Sequence, residues 1–458
     1  MSRKILVLTT EPLPLPGLPA TGAGLRAWSL GLGLRSAGVG EVVLGFAADS
    51  IRGRELGEHG IPGVEPFERG AIDEFVRGHG PDAVVLQHWG LFAEFRQPLA
   101  CPLAIDLAGP HLLERRLWGS RDPAADLREK VTALAAADFT VCSGAFQRHY
   151  FLPFLVQAGH DPRAPLCPVI PFSLSPDLPE PAPDRDLSAF VFAGMFLPWQ
   201  DPEEVLRTAV EVMEERGRGR LLFVGGPHPG GDVSGGRFDS LLEFLAGHPS
   251  VEVQPVMPFD ELLGLLRGAG AAIDLMPGNA EREIAFPTRT VTYMWAGLPV
   301  IHNDYDELAG PIQRARAGWV MPPRDMDALR RTLVRLIGHK EDVERRSEAA
   351  RHLVQSEFTW DRTIGPLAEW CREPRRREGK ESATVTVPVD EAAAPRRRRP
   401  ARRREGKITY APQPSGAGGR GPWYLSPIVF LLALPISAVL LLLFGLAEIA
   451  RMVLRPGR

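Results

Sequence analysis

The stretch FPTRTVTYMWAGLPVI, residues 286–301, reads as a helix running into a short strand. Pro287 and Thr288 suit a helix start, the proline through its fixed φ and the threonine as a cap. Arg289 then falls in the first turn, where free backbone N–H groups and the helix dipole favour anions. Upstream, AFVFAGMF, RLLFVGGP, VEVQPV and AAIDLMP are short apolar runs bounded by turn residues, and PEEVLRTAVEVMEERG, DELLGLLRGAG and DALRRTLVRLIG are helical segments of the same half. The first half repeats the pattern with KILVLT, EVVLGFAA, PDAVVLQH, CPLAIDLA and ADFTVCSG, and with the periodic segment GLRAWSLGLGLRSAG after a Gly-rich loop. Short buried strands alternating with helices predict an α/β fold with parallel sheets covered on both faces.

The Pro-rich joint PDLPEPAPDRD at 176–186 divides the pattern in two. Residues 1–175 and 186–355 are expected to form two Rossmann-like, doubly wound domains facing a cleft. Ligands should sit at the carboxyl ends of their strands. A last helix, within 356–372, is expected to return to the first domain.

Charge is distributed unevenly. Residues 1–372 hold 37 Lys and Arg against 49 Asp and Glu, a net of −12, whereas 373–458 hold 16 against 7, a net of +9. An acidic body argues against nucleic acid as a partner, because such proteins carry basic charge on their folded part. Cys101, Cys142, Cys167 and Cys371 form no CxxC pair and read as structural thiols in a reducing compartment. The amino terminus has four consecutive apolar residues, Ile5–Leu8, too few for a secretion signal, so the body is expected in the cytosol. High Ala, Gly, Pro and Arg usage suggests a GC-rich bacterium.

Residues 428–447, IVFLLALPISAVLLLLFGLA, contain no charge and would span about 30 Å as a helix. Trp423 and Tyr424 stand at the interface end. Nine Lys and Arg precede the segment, within PRRRRPARRREGK at 395–407 and at Arg420, and Arg451, Arg455 and Arg458 follow it. The asymmetry places the upstream side in the cytoplasm. Pro435 leaves a re-entrant hairpin open, with a single crossing favoured. The expectation is a tail anchor over 423–450 in the inner membrane, joined to the body by a disordered Arg/Pro-rich linker over 373–422 that anionic lipid would attract.

Order and spacing over 3–370 resemble the GT-B glycosyltransferases, in particular the family 4-like enzymes of bacterial surface-polysaccharide clusters. The resemblance rests jointly on TGAGLRAWSL, AADFTVCSGAFQRHYF and the 281–301 stretch. It implies transfer of a sugar from a nucleotide-sugar donor, generally without a metal, and no DxD in a suitable loop, HExxH or Cys/His cluster stands out here. It also implies a glutamate that touches the donor sugar and, eight positions on, a carboxylate on the ribose. The second position is Thr292 and the matching first is Ile284. A one-residue shift lets Glu283 serve, and the wording of closer relatives favours Glu281. Relatives place an arginine and a lysine after the glycine corresponding to Gly194. Here Met195 and Phe196 follow, then Trp199, Gln200 and Asp201.

The donor-side residues are therefore Gly194, Trp199, Gly225, Thr288, Arg289 and Thr292, with Glu281 and Glu283 as candidate catalytic carboxylates. In the first half Gly22, Gly24 and Arg26 form a candidate loop for acceptor or phosphate. Asp106, ending a strand, is a candidate acceptor base. Ser143 and Gln147 mark another cleft edge, while His88, His111 and Glu114 each read individually as structural. The expected activity is sugar transfer to a lipid-linked or membrane-associated glycan, favoured by confinement at a membrane. The rival is an idle GT-B scaffold of a polysaccharide-assembly complex, motivated by Thr292 and the missing cations. A sugar-nucleotide epimerase is a third reading, without its expected His/Glu constellation.

Overall fold

Along the first strand Ile5 and Val7 enter one apolar cluster and Leu6 and Leu8 another, so alternate residues face opposite sides of a sheet buried on both faces. The computed structural model describes residues 3–51, 61–226 and 236–378. The strands of the first half are β1 (Lys4–Thr9), β2 (Glu41–Ala47), β3 (Val64–Phe67), β4 (Ala83–Gln87), β5 (Leu103–Leu107) and β6 (Phe139–Cys142). They form one sheet in the order β3-β2-β1-β4-β5-β6, and every pairing is parallel.

The second half contributes β7 (Asp186–Met195), β8 (Arg220–Gly226), β9 (Val251–Gln254), β10 (Ala269–Asp274), β11 (Val300–Asn303) and β12 (Gly318–Met321). Their order, β12-β11-β10-β7-β8-β9, repeats that of the first sheet. In β7, Phe190 and Phe192 pack on one face while Ala189, Val191 and Ala193 pack on the other. In each sheet the winding reverses between two adjacent strands, β1 and β4 or β7 and β10. That reversal opens a crevice at the carboxyl ends.

The stretch 286–301 forms the helix Thr288–Trp295 and then β11. Gly297 takes a φ of +89°, and the amide of Leu298 donates to the Tyr293 carbonyl at 2.9 Å. This closure satisfies the last turn and needs glycine at the left-handed position. The helix Lys340–Glu357 leads to a shorter one, Gly365–Arg372, whose Leu367, Ala368 and Cys371 join the same cluster as Ile5 and Val7. Trp370 stacks on Phe139 with centroids 5.5 Å apart.

Two short strands, β3 and β12, had no counterpart in the sequence expectation. Both lie at sheet edges. The linker expected to begin at 373 starts as bound chain. Arg376 donates to the Leu99 and Ala100 carbonyls at 2.9 and 2.7 Å, and Arg377 to those of Ala135 and Gly159 at 2.9 and 2.6 Å. The apolar stretch 428–447, its interface residues and the arginine runs at 396–404 lie outside the described residues. Among the described residues no helix is long and apolar enough to cross a membrane.

Candidate active site

A cavity of about 650 Å³ lies at the carboxyl ends of both sheets. On the second-half side, its floor is the end of β7. The Tyr293 hydroxyl accepts from the Ala193 amide at 2.7 Å and donates to the Ala193 carbonyl at 2.9 Å, tying the Thr288–Trp295 helix to that strand. The Arg289 guanidinium lies flat against Gly194. A Cβ there would stand 2.6 Å from Nη2, so glycine is what admits the arginine. Gly225 on β8 is similarly excluded from carrying a side chain, by the Gly194 carbonyl at 2.4 Å.

Arg289 is held on three sides. Nη2 donates to Gln200 Oε1 at 2.6 Å, Nη1 lies 3.4 Å from Asp274 Oδ1, and the group sits 5.0 Å from the Phe192 centroid. Its charge therefore stands at the amino end of a helix and faces the cavity. Burial alone would raise the Asp274 carboxyl. Arg289, Arg282 and His302, with the Thr290 hydrogen bond, outweigh it and hold Asp274 below the usual range. A cation thus stands against Gly194, carried by the Thr288–Trp295 helix and not by the residues that follow the glycine.

Glu281 sits in the first turn of the short helix Ala280–Ile284, whose first amides are capped by Asn279 Oδ1 at 3.0 and 3.1 Å. The side chain lines the cavity and Oε2 has no hydrogen-bond partner among the described residues. Burial pushes the carboxyl up to about 8, against the pull of Arg282, and Glu114 across the cavity adds to the rise. At neutral pH it carries a proton. That suits hydrogen bonding to sugar hydroxyls better than proton abstraction. Glu283 is exposed and does not line the cavity, so the one-residue shift that would bring it into play does not occur.

Thr292 lines the cavity, and its hydroxyl donates to the Thr288 carbonyl at 3.0 Å within its own helix. Thr288 faces Gly22 of the first half so closely that a Cβ on Gly22 would stand 2.8 Å from its Oγ1. Trp199 is buried and meets Trp118 of the first half edge to face, with centroids 5.1 Å apart. Both tryptophans line the cavity.

The first half departs further from expectation. Gly24 does not open toward a ligand; it lets the helix Gly22–Ser36 pass the Pro12 carbonyl, which a Cβ would meet at 1.9 Å. Arg26 is buried, and its Nε and Nη2 donate to Asp106 Oδ2 and Oδ1 at 3.0 and 2.9 Å, with Nη1 on the Pro171 carbonyl at 2.9 Å. Asp106 is fully buried and does not line the cavity. With both oxygens bound by one guanidinium, it is an anchor for Arg26 and not a free base. Arg26 in turn is no free cation for phosphate.

The cavity is lined instead by two histidines of the first half. His88 stands at the end of β4 with a φ of +89°, a strained conformation for a residue with a side chain. Its Nδ1 accepts from the Gly90 amide at 2.9 Å, which leaves Nε2–H as a donor, and that atom has no hydrogen-bond partner among the described residues. Burial, then His111 and Arg115, hold the imidazole well below its usual pKa. His111 packs on it at 4.1 Å between centroids and bonds through Nδ1 to Glu114 Oε2 at 2.9 Å. All three residues line the cavity, as do Ser143 and Gln147. Their sequence signal, a histidine ending a strand and His-x-x-Glu at a helix start, was present but common to structural residues.

No family model matches the sequence, and no curated protein matches it. Solved structures do. The sucrose-phosphate synthase of Thermosynechococcus elongatus is 17% identical with a TM-score of 0.60, over 81% of this chain and 98% of that one. An alpha-glucosyltransferase in complex with UDP is 11% identical with a TM-score of 0.55, over 81% and 100%. A second structure of an alpha-glucosyltransferase, with UDP-glucose and DNA containing an abasic site, gives 11% and 0.54 over the same shares. At such identities the likeness is one of fold, and with two matching six-stranded parallel sheets the fold of this chain is GT-B.

Proposed function

We propose that the chain is a glycosyltransferase that takes its sugar from a uridine diphosphate donor. The observation that carries the proposal is Arg289, fixed against Gly194 at the amino end of a helix and facing the cavity. The UDP and UDP-glucose bound by neighbours of the same fold support the choice of nucleotide. In the reaction the bond from the anomeric carbon to the diphosphate oxygen breaks and a bond to the acceptor oxygen forms. Arg289 and the amides of the Thr288–Trp295 helix stabilise the charge on the departing diphosphate. Glu281, protonated, and the His88 Nε2–H supply hydrogen bonds to sugar hydroxyls. His111, oriented by Glu114, is the cavity residue suited to receive the acceptor proton.

The acceptor is a lipid-linked or membrane-associated glycan. Support for that part lies in the sequence, in the uncharged run at 428–447 and the arginine runs before it. The DNA of one neighbouring complex has no counterpart in a body with a net charge of −12. The test is UDP release by the full chain from a panel of UDP-sugars, with and without an extract of bacterial membrane lipids. Release from one sugar that requires the extract supports both donor and acceptor. Release from none, by a folded sample, counts against the proposal.

A further inference from the structure

Beneath Arg289 lies a chain of buried polar groups that no part of the transfer chemistry uses. His302 on β11 is fully buried, as are Asp274 and Thr290, and Asp306 is 5% exposed. His302 Nε2 lies 2.8 Å from Asp306 Oδ1, and that oxygen already accepts from the Leu308 amide at 3.0 Å. An oxygen receiving one donor and facing a ring nitrogen at 2.8 Å leaves Nε2 as a second donor. On the other side Nδ1 lies 3.2 Å from Thr290 Oγ1. The Thr290 hydroxyl has one proton, and it goes to Asp274 Oδ2 at 2.6 Å. Oγ1 can then only accept from Nδ1. The contacts on its two sides thus fit an imidazole whose ring nitrogens both donate.

We infer that His302 is a positioning residue of the donor site: a doubly donating, cationic imidazole that fixes Thr290 and Asp274 and so sets the attitude of Arg289. The inference rests on the proposed role of Arg289. The order of contacts is Asp306, His302, Thr290, Asp274, Arg289 and Gln200. Two carboxylates, Asp274 and Asp306, share this buried region with Arg289, Arg282 and the His302 ring. With a cation on His302 beside that of Arg282, the share of the Asp274 charge that falls to Arg289 is smaller. The 3.4 Å contact between Arg289 and Asp274 against 2.6 Å to the neutral Gln200 agrees with that division. The guanidinium charge then remains available to an anion in the cavity. Buried networks of this kind work as a unit, so loss of one member is felt at the others.

The test has two readouts on the full chain. The first is the ring ¹⁵N spectrum of histidine-labelled protein, with the His302 signals assigned by their loss in His302→Gln. Two protonated ring nitrogens on His302 are expected; a single ring N–H would overturn the inference whatever the protein binds. If His302→Gln does not fold, Asp306→Asn serves for assignment, because its carbonyl keeps the acceptor and shifts the same signals. The second readout is the dissociation constant for UDP. His302→Gln is expected to weaken UDP about tenfold, and to add nothing further in an Arg289→Ala background. Additive losses would overturn the positioning role. If Arg289→Ala binds UDP as the wild type does, the donor assignment itself fails and the positioning role falls with it, leaving the spectrum to judge the proton count alone.

Discussion

The carboxylate of Glu307, in the second half, accepts from the Ala145 amide of the first half at 2.7 Å. Its other oxygen lies 3.5 Å from the Phe146 amide. Ala145 opens the thirteen-residue helix Ala145–Gln157, which has no side-chain cap of its own because Gly144 occupies the cap position. One half thus caps a helix of the other, where free amides and the helix dipole favour a negative charge. A contact of this kind is worth about 1 kcal/mol. Glu307→Ala is predicted to speed hydrogen exchange at Ala145 and Phe146 and leave exchange within β1 unchanged. Unaltered exchange at both amides would remove the cap from the account.

Glu281 gives the second prediction. Its carboxyl stands at about 8 in the folded chain against 4.5 as the ordinary value. Between those values the folded state keeps a proton that the unfolded state has lost, so stability falls as pH rises. The contribution is present below pH 4.5 and lost as pH passes through 8, and amounts to up to about 5 kcal/mol. In Glu281→Gln that part of the pH dependence should vanish. Melting curves of both proteins between pH 5 and 9 check it; parallel curves would contradict it.

Lys130 has the opposite sign. Its ammonium is buried without a hydrogen-bond partner among the described residues, at 3.6 to 4.6 Å from the ring centroids of Phe154, Tyr150 and Phe151. Burial lowers the group to about 7 from 10.5. Between those values the unfolded chain binds the extra proton, so stability rises with pH, and the lysine is most costly below pH 7. Lys130→Met should raise the melting temperature at pH 6 and change it far less at pH 10. An equal shift at both would point to packing alone.

Asp106 separates an anchor from a base. Removing its charge leaves the Arg26 guanidinium buried and unpaired, at a cost of about 3–5 kcal/mol. Asp106→Asn is therefore predicted to melt well below the wild type. A variant with unchanged melting and lost turnover would return Asp106 to the catalytic role that its place on the strand first suggested.

Much of the architecture was legible because buried parallel strands write themselves as short apolar runs, as in Ile5–Leu8 or the run ending at Asp274. β3 and β12 were not, since VEPF carries a proline and GWVM is four residues long, and edge strands need neither length nor continuous apolarity. At the site, Arg289 and Glu281 could be named from their place around one helix start. What sequence could not reveal was pairing across long separations. Arg26 and Asp106 were both singled out, 80 residues apart, yet nothing local said they would bind each other. Nothing local said that Gln200 and Asp274 would orient Arg289, and His302 lay in a strand that read as plain core.

The central claim is that Arg289 holds the diphosphate of a donor. The direct measurement is thermal stabilisation of the full chain by UDP, wild type against Arg289→Ala. At a hundred times its dissociation constant UDP should add about 2.7 kcal/mol to the wild type and little to the variant at the same concentration. Equal stabilisation of both proteins, or none of a folded wild type, would contradict the account.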